Sequence, residues 1–345
     1  MKTQFIYWFA YYNLDSPSVR YRGKFPLDFI KEEKGIDNYF VVPSYRPKEI
    51  LLFLRAYLSA LFFRKRNSLI VIQRVQSNFI YARLLKLLVL VRKKNTIYDL
   101  DDADYLEINP STLYFFAKNC ERVFAGSAQI ERHLSAHNSS IVFSTSPTVD
   151  LGIVKKNRNS VFTIGWIGGF GGDHKSSLIE LVFPAILQMN FPVKFTIVGV
   201  RKQEDIDFIN AYFSSNQIIE INTPLEIDWK DENEIQSRIV TFDIGIATLT
   251  NTELQLSKSG IKAKQYMNNG IPVLSTNLPE NNTVVVDGYN GYFCSSRFDF
   301  EKRMRQFAEF SDHEYATFSV NARQSITNFN HVNYFRNFEY LHSKN

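Results

Sequence analysis

The sequence predicts two α/β domains, each built on a parallel β-sheet. Both halves of the 345 residues alternate short apolar runs with helical stretches, which is typical of parallel α/β sheets. The polar segment Lys155–Ser160 interrupts this alternation and is predicted to be the linker. The length suits two domains of about 150–180 residues each. We therefore expect one domain over 1–154, a second over 161–322, and a C-terminal helix over 323–345 that either caps its own domain or crosses back to the first.

In the first half, six apolar runs have the length of strands, and the segments between them have helical periodicity. The predicted strands are Gln4–Ala10, Tyr39–Val42, Leu69–Arg74, Thr96–Leu100, Arg122–Ala125 and Ile141–Ser144. The predicted helices are Pro26–Glu33, Lys48–Phe63, Asn78–Arg92, Ser111–Lys118 and Ala128–Ala136. This order of strands and helices favours a Rossmann-like domain.

The second half repeats the alternation. The predicted strands are Phe162–Ile167, Lys194–Val200, Gln217–Ile221, Ile244–Thr248, Pro272–Ser275, Thr283–Val286 and Tyr292–Cys294. The predicted helices are Ser176–Gln188, Ile206–Phe213, Glu232–Ile239, Gly260–Asn268 and Phe300–Ser311. Gly270-Ile271-Pro272-Val273 reads as a helix stop followed by a strand with proline at its first position, which is an architectural role.

Composition excludes several classes of protein. With 45% hydrophobic and 22% charged residues, the chain is an ordinary folded protein and not a disordered one. Its two cysteines, Cys120 and Cys294, lie far apart and predict a reducing compartment without a disulfide framework. No apolar run reaches about 18 residues, so no transmembrane helix is expected. The N-terminus reads as a core strand and not as a signal peptide, which predicts a cytoplasmic location.

Positive charge is concentrated in the first half. Residues 1–153 contain 21 Lys and Arg against 14 Asp and Glu, whereas the remainder contains 19 against 21. This asymmetry indicates an anionic partner or an anionic membrane surface. Basic residues such as Arg55, Lys86 and Arg64-Lys65-Arg66 flank aliphatic helices, which either contact a membrane or are core helices with charged outer faces. A nucleic-acid binder is the weaker alternative, because no aromatic-basic binding motif is present.

A glycine-rich loop follows the first strand of the second half, in Phe162–Lys175, which reads FTIGWIGGFGGDHK. Glycine lets backbone N–H groups approach a phosphate, and the next helix adds its positive N-terminus. The spacing is neither a dinucleotide fingerprint nor a Walker A loop, because His174 stands where glycine is needed. Lys175 follows the loop, either as a solvated lysine or as a cation facing a diphosphate.

Further lysines occur in Ser257–Gly270, which reads SKSGIKAKQYMNNG. Lys258 and Lys262 are one helical turn apart and are expected to point together, whereas Lys264 is expected on the solvated face. The alternative is that all three lysines form a solvated helix face. Lysine, arginine and a helix N-terminus can together neutralise a bound diphosphate. These lysines are therefore candidates for that role.

Two polar segments of the first half follow predicted strands. Tyr98–Asp104 reads YDLDDAD, and its carboxylates are either a cluster that faces the ligand cleft or, less favoured, a metal site. Arg20 follows the first strand and Arg74 ends the third, so both are expected where the carboxyl ends of the strands open into a cleft. The alternative is that both arginines form ordinary ion pairs with Asp101–Asp104. The six histidines show no metal-ligand spacing.

The order of these motifs resembles glycosyltransferase family 4. The likeness runs from Ser18 to about Gly291 and is strongest at Phe242–Pro279 and Tyr98–Ala103. One branch of the family carries a motif that resembles GK-x-G-x-K-x-x-QYM-x-x-G-x-PV, and the lysine-rich segment of this chain fits that motif better. Family members commonly carry two glutamates eight positions apart there, where this chain has Ser257 and Gln265. The resemblance implies the GT-B fold, in which two Rossmann-like domains face each other across a cleft.

The resemblance also implies roles for particular residues. The catalytic candidates are Lys258, Lys262 and Lys175 on the diphosphate, and Asp101 and Asp102 near the acceptor hydroxyl or donor sugar. The donor-binding candidates are Gly168, Gly169, Ser257, Gly260, Ile261, Gln265 (on the ribose), Glu280 and Asn222 (by the base). For Glu280 the alternative is a structural role. The acceptor-side candidates are Arg20 and Arg74. No metal and no other cofactor is expected.

The function that the resemblance implies is retaining transfer of a sugar from a nucleotide-diphosphate sugar to a hydroxyl group. The acceptor would be a glycan or a lipid-linked glycan in bacterial surface polysaccharide assembly, at the inner face of the cytoplasmic membrane. A non-catalytic GT-B-like subunit that partners an active enzyme is the alternative, because both expected glutamates are absent.

Overall fold

The chain folds into two compact α/β units. A computed structural model describes residues 4–62, 65, 67–75, 79–107 and 109–339. The first unit takes its described residues from 1–149, 257–259 and 329–345, and the second from 150–256 and 260–328. Lys155–Ser160, the segment predicted as the linker, therefore lies inside the second unit. There Lys155 is buried with its Nζ 3.2 Å from Oδ1 of Asp243.

The first unit contains a six-stranded sheet with helices between the strands. Its strands are β1 (Phe5–Phe9), β2 (Asp37–Val41), β3 (Ser68–Gln73), β4 (Thr96–Leu100), β5 (Arg122–Ala125) and β6 (Ile141–Phe143). Its helices before residue 150 are α1 (Phe25–Lys34), α2 (Pro47–Phe62), α3 (Phe79–Val91), α4 (Asp104–Glu107), α5 (Ser111–Asn119) and α6 (Ala128–Leu134). A π-helical segment, Val19–Lys24, precedes α1 directly.

The strands of this sheet are all parallel, in the order β2-β1-β3-β4-β5-β6. Strand β1 pairs with β2 on one side and with β3 on the other, with Tyr7 opposite Tyr39 and Ile70. The direction of winding thus reverses between β1 and β3. In open α/β sheets, ligands bind outside the carboxyl ends of the strands at such a switch point.

The final helix of the described chain completes the core of the first unit. This helix, which we number α15 (His331–Glu339), buries Tyr334, Phe335 and Phe338 against Trp8 and Phe124. The ring of Phe338 lies 4.9 Å from that of Phe124. The hydroxyl of Tyr334 donates a 2.9 Å hydrogen bond to the carbonyl of Arg22. Helix α15 is therefore part of the first unit although it follows the second in sequence.

The second unit has a six-stranded sheet of its own. Its strands are β7 (Phe162–Ile167), β8 (Val193–Val198), β9 (Ile219–Asn222), β10 (Ile244–Ala247), β11 (Val273–Ser275) and β12 (Gly291–Phe293). Its helices are α7 (Gly172–Ser177), α8 (Phe183–Leu187), α9 (Gln203–Phe213), α10 (Glu232–Ile239), α11 (Glu253–Leu256), α12 (Ile261–Asn268), α13 (Arg297–Glu309) and α14 (Asp312–Ser325). A π-helical segment, Leu178–Val182, joins α7 to α8.

This sheet is also parallel, and its strand order is β12-β11-β10-β7-β8-β9. Read from the other edge, this is the Rossmann order, with the switch point between the first and fourth strands, β7 and β10. Gly165 pairs with Gly245 at this junction. The core beneath it is aromatic and includes Trp166, Phe183 and Phe195.

The structure confirms most predicted strands and helices within a few residues, but the predicted strand Thr283–Val286 is wrong. A short 3-10 helix, Asn281–Thr283, stands at its start. The side chain of Asn290 then accepts a hydrogen bond from the amide of Val286 and donates one to the carbonyl of Val284. These are backbone groups that a neighbouring strand would otherwise satisfy. Arg64, Arg66 and the predicted helix start at Asn78 lie outside the described residues.

Within the described residues 4–62, 79–107 and 109–339, no helix is both long and apolar enough to cross a lipid bilayer.

Candidate functional site

Arg74 is the central cation at the switch point of the first sheet. It directly follows β3, in a left-handed backbone conformation (φ +47°) that non-glycine residues seldom adopt. Its guanidinium donates hydrogen bonds to Oδ2 of Asp104 at 2.8 Å and to the hydroxyl of Tyr11, after β1, at 3.2 Å. Burial opposes its charge, but Tyr11 and the carboxylates of Asp101 and Asp104 raise the pKa of Arg74 well above its usual value. Arg74 thus remains a buried cation.

The predicted carboxylate cluster surrounds this arginine. Nη1 of Arg74 lies 3.6 Å from Oδ1 of Asp101, and Nη2 lies 3.4 Å from Oδ2 of Asp102. Burial raises the pKa of Asp104 despite the opposing effect of Arg74. For Asp102 burial acts in the same direction, but the charges of Arg74 and Lys258 outweigh it and lower the pKa. Arg74 therefore forms ion pairs with all three carboxylates.

Lys258 also binds this cluster. Its Nζ lies 2.8 Å from each carboxylate oxygen of Asp102, and the segment Ser257–Ser259 belongs to the first unit. Helix α12 begins only at Ile261, because Gly260 takes a left-handed conformation (φ +63°) as its N-cap. The prediction that Lys258 and Lys262 stand one helical turn apart is therefore wrong. Ser257 is fully buried, with its Oγ 3.4 Å from the hydroxyl of Tyr105.

The second predicted arginine has a different environment. Arg20 is buried and donates hydrogen bonds to the carbonyls of Leu14 (2.6 Å) and Asp15 (3.0 Å). These bonds fix the loop after β1. Arg22, which was not among the predicted site residues, is fully buried and donates from Nε to Oδ2 of Asp99 at 2.8 Å. Its signal in the sequence is the pair of arginines in Ser18-Val19-Arg20-Tyr21-Arg22, of which only Arg20 was predicted to be a site residue.

In the second unit, the glycine-rich loop starts at the switch point between β7 and β10. Gly168 directly follows β7 with φ +153°, and its amide donates to the carbonyl of Val198 at 3.0 Å. A Cβ on Gly168 would lie 2.9 Å from Cε of Lys262, so the lysine stem packs against this backbone. A Cβ on Gly169 would contact no described atom within 4 Å. The loop is therefore open at Gly169 and close-packed at Gly168.

Two lysines lie beside this loop. Nζ of Lys262 is 3.1 Å from Nε2 of His174 and 5.5 Å from the ring centre of Trp166. Nζ of Lys175 is 2.6 Å from Oδ1 of Asp205, and its side chain is about one-third exposed. In the sequence, His174 only excluded a dinucleotide fingerprint and a Walker A loop, and Asp205 was not among the predicted site residues. No motif marked either residue as a lysine partner.

Helix α12 places the remaining lysine differently from the prediction. Lys264 is fully buried, so the expectation that it lies on the solvated face is wrong. The helix packs closely against the sheet, and its neighbours Ala263 and Tyr266 are also fully buried. Ile261 and Gln265 are half-buried on the same helix. Lys264 therefore shares the buried side of α12.

The other predicted donor residues also belong to the second unit. Glu280 is buried, and its carbonyl lies against Gly260, where an added Cβ would be 3.0 Å from that oxygen. Asn222 ends β9 and donates to Oγ1 of Thr196 at 3.4 Å. The structure thus brings Gly168, Lys262 and His174 together, and separately Gly260 and Glu280. Asn222 is on the edge strand.

A metal site was the less favoured interpretation of the aspartates. Within the described ranges, no group of three or more His, Cys, Asp or Glu side chains is arranged to hold a metal ion. Arg74 and Lys258 instead compensate the charges of Asp101, Asp102 and Asp104. The expectation that the protein needs no metal stays a prediction.

Comparison with known proteins connects this architecture to solved structures. No protein-family model matches the chain, and no curated protein matches it. The structure is similar to that of Anabaena HepE in complex with UDP-glucose, with a TM-score of 0.65 and 14% identity, over 97% of this chain and 98% of that one. It is also similar to the lipopolysaccharide outer core galactosyltransferase WaaB, with a TM-score of 0.64 and 12% identity, over 98% of both chains.

A third similar structure is sucrose-phosphate synthase from Thermosynechococcus elongatus. The TM-score is 0.66 and the identity 10%, over 98% of this chain and 96% of that one. These likenesses extend over nearly the whole length of each chain. Together with the two parallel six-stranded sheets, they confirm the predicted GT-B fold. At such low identity they show the fold alone.

Proposed function

We propose that this protein is a glycosyltransferase that takes its sugar from a nucleotide-diphosphate sugar. The observation that carries the proposal is the packing of Lys262 against Gly168 at the switch point of the second unit. A cation beside an open glycine loop, at the carboxyl end of β7, suits a diphosphate. Solved structures with the same fold include HepE in complex with UDP-glucose and with UDP and glucose. UDP is accordingly the first nucleotide to test.

The proposed chemistry follows from charge. As the sugar–phosphate bond breaks, the leaving diphosphate gains negative charge, and cations fixed beforehand stabilise that charge without reorganising. In the second unit, Lys262 and the amides near Gly169 would stabilise this negative charge, with Lys175 beside them. We propose retention of anomeric configuration, with front-face attack by the acceptor hydroxyl. The diphosphate would take the acceptor proton.

In the first unit, we propose that the cluster of Arg74, Asp101 and Asp102 serves the acceptor. Its place at the switch point of that sheet supports this role, as does the strained backbone of Arg74. A lipid-linked glycan in surface polysaccharide assembly is the proposed acceptor, and the inner face of the cytoplasmic membrane the proposed location. The positive charge of the first half supports this location.

Thermal unfolding in the presence of UDP, GDP, dTDP and CMP, each with and without Mg²⁺, tests the donor site. A ligand that binds only the folded protein raises the midpoint by an amount set by its concentration relative to its Kd. We expect one nucleoside diphosphate to raise the midpoint without Mg²⁺. Absence of any shift with all four nucleotides, or a shift that requires Mg²⁺, would contradict the proposal.

A non-catalytic GT-B-like subunit is the second candidate function. The observation that favours it is the burial of Ser257 against Tyr105, at the position where family members carry a glutamate for the transferred sugar. Such a subunit would bind a partner enzyme without turning over a donor. Release of nucleoside diphosphate from a donor sugar by the purified chain would exclude this candidate.

A further inference from the structure

Helices α2 and α3 lie side by side on the first unit and run in the same direction. The rings of Phe53 and Tyr81 are 5.2 Å apart near the first turns of the pair. Toward the other end, Nε of Arg92 donates to the carbonyl of Leu61 at 2.9 Å. The two contacts follow the same order along both helices, so α2 and α3 pack in parallel and form one continuous face.

That face is apolar where it meets solvent. On α2 the exposed fractions are 45% for Leu58 and 64% for Phe62, and on α3 they are 71% for Ile80 and 60% for Leu90. The exposed apolar residues of the two helices are Ile50, Leu51, Leu54, Leu58, Phe62, Phe79, Ile80, Leu87, Leu90 and Val91, which together we call the α2–α3 face. A contiguous apolar surface of this kind marks a contact with a protein or a membrane.

The buried sides of these helices explain why the α2–α3 face is not simply the core side. Ala56 and Ala60 of α2 pack inward, as do Leu85 and Leu88 of α3. Both helices therefore already bury one apolar stripe and present a second one. An apolar stripe that faces solvent beside a buried one calls for a partner surface to cover it.

Charge around the α2–α3 face has a single sign. Between Arg46 and Lys94 the sequence has twelve Lys and Arg residues and one acidic residue, Glu49. Exposed cations stand at both ends of the helices, with Lys48 at the start of α2 and Lys93 and Lys94 directly after α3. Arg55 and Arg83 are exposed between them. An anionic lipid surface attracts such cations while its acyl boundary accepts the apolar residues.

We propose that the α2–α3 face docks on an anionic lipid bilayer. The apolar side chains enter the boundary between headgroups and acyl chains, and the surrounding lysines and arginines contact the headgroups. The hydroxyl of Tyr81 on α3 donates a 3.1 Å hydrogen bond to the carbonyl of Ala10, and the adjacent Tyr11 accepts one from Arg74, which connects α3 to the cluster proposed for the acceptor. The proposal deepens the membrane location given under the proposed function, but docking itself does not require transfer activity.

Cosedimentation with vesicles tests docking directly. Vesicles of equal parts phosphatidylcholine and phosphatidylglycerol are compared with vesicles of phosphatidylcholine alone, at low and high salt. We expect the protein to bind the anionic vesicles and this binding to weaken at high salt, because salt screens the attraction between the basic residues and the headgroups. The double variant Ile80→Glu/Leu90→Glu is expected to lower the partition coefficient at least about tenfold, because it removes buried apolar contacts and adds repulsion.

The control variant is Phe298→Glu/Val320→Glu in the second unit. Phe298 and Val320 are 65% and 53% exposed on helices, so the control makes the same charge change at comparable exposure. We expect its binding to stay within about twofold of wild type. Equal losses in both variants, or no binding of the wild type to anionic vesicles, would overturn the proposal. So would a dimer that becomes monomeric in the Ile80/Leu90 variant, because the α2–α3 face would then bind a second copy.

The same variants separate docking from the donor site. The thermal shift with nucleoside diphosphate should be unchanged in Ile80→Glu/Leu90→Glu, since neither residue belongs to the second unit. Loss of vesicle binding with a retained nucleotide shift supports docking on its own. Vesicle binding by a protein that shows no nucleotide shift would leave docking standing and reject the proposed function.

Discussion

The ammonium nitrogen of Lys262 lies 3.1 Å from Nε2 of His174. A protonated lysine can only donate hydrogen bonds, so the imidazole nitrogen accepts here. The same lysine stem packs against Gly168, at the end of β7. His174 therefore helps to position the lysine beside the glycine-rich loop by accepting a hydrogen bond from its ammonium group.

Replacing Lys262 with alanine should weaken binding of nucleoside diphosphate. Hydrogen bonds to charged groups contribute about 1.5–3 kcal/mol, so Kd should rise roughly 10- to 100-fold. Isothermal titration calorimetry on the folded variant measures this. Lys202→Ala is the control, because Lys202 is an exposed lysine of the same unit paired with Glu204. A Kd equal to that of wild type in Lys262→Ala would remove this lysine from the donor site.

Replacing Arg74 with methionine should destabilise the protein strongly. The change leaves Asp101, Asp102 and Asp104 without their shared cation, and breaking a buried ion pair costs about 3–5 kcal/mol. Urea unfolding gives the change in free energy of unfolding. The exposed Arg46→Met should change it by no more than about 0.5 kcal/mol. If the two variants unfolded alike, the carboxylates would not depend on Arg74.

Gly199 should tolerate alanine poorly. It has φ +104°, and an added Cβ would lie 2.1 Å from the carbonyl oxygen of Gly168. Gly199→Ala must therefore strain its own backbone and displace the glycine-rich loop, with a cost of at least about 2 kcal/mol in the free energy of unfolding. Gly169→Ala meets open space and should cost about 0.5 kcal/mol or less. Urea unfolding measures the free energy of unfolding of the two variants. Equal values would contradict the close packing of Gly168 and Gly199.

Stability should fall as pH is lowered, through His331 at the start of α15. Burial lowers the pKa of His331 in the folded protein to about 4. In the unfolded chain the pKa of this imidazole is about 6.5, so between these two pH values the unfolded chain binds a proton that the folded protein does not. His331 therefore does not reduce the free energy of unfolding above about pH 6.5, and it reduces it progressively as the pH falls toward 4. Between pH 7 and pH 5 the loss should be about 1–2 kcal/mol.

Urea unfolding at both pH values of wild type and His331→Phe measures this contribution. The ring of Phe29 lies 5.1 Å from that of His331, so phenylalanine has an aromatic neighbour at this position. The variant should lose less stability than wild type on acidification. His313→Phe, at an exposed histidine of α14, should behave as wild type does. Identical pH dependence in wild type and His331→Phe would reject the role of His331.

The periodicity of the sequence predicted the sheets well because buried parallel strands read as apolar runs. Thr96–Leu100 and Phe162–Ile167 have the predicted ends. It failed where side chains replace a sheet partner, as Asn290 does for Val284 and Val286. Helix α14 was also missed, although Ser311 and Glu314 form a capping box at its start. That motif is readable from sequence and was not used.

The sequence predicted which types of residue form the candidate site better than it predicted which of their side chains contact each other. Glycine and lysine spacing identified Gly168 and Lys262, because local chemistry places them after a strand and on a helix start. The pairing of Lys258 with Asp102 joins residues far apart in sequence and depends on helix α12 beginning only after Gly260, which leaves Lys258 outside the helix. The burial of Lys264 depends on how α12 packs on its sheet. Spacing alone does not contain that information.

The position of helix α15 has a consequence for synthesis on the ribosome. Tyr334, Phe335 and Phe338 belong to the core of the first unit, yet they are translated after the whole second unit. Domains usually fold in the order in which they emerge. Here the unit that emerges first must wait with Trp8 and Phe124 uncovered until the last helix leaves the exit tunnel. The unit made second is therefore the first that can finish folding.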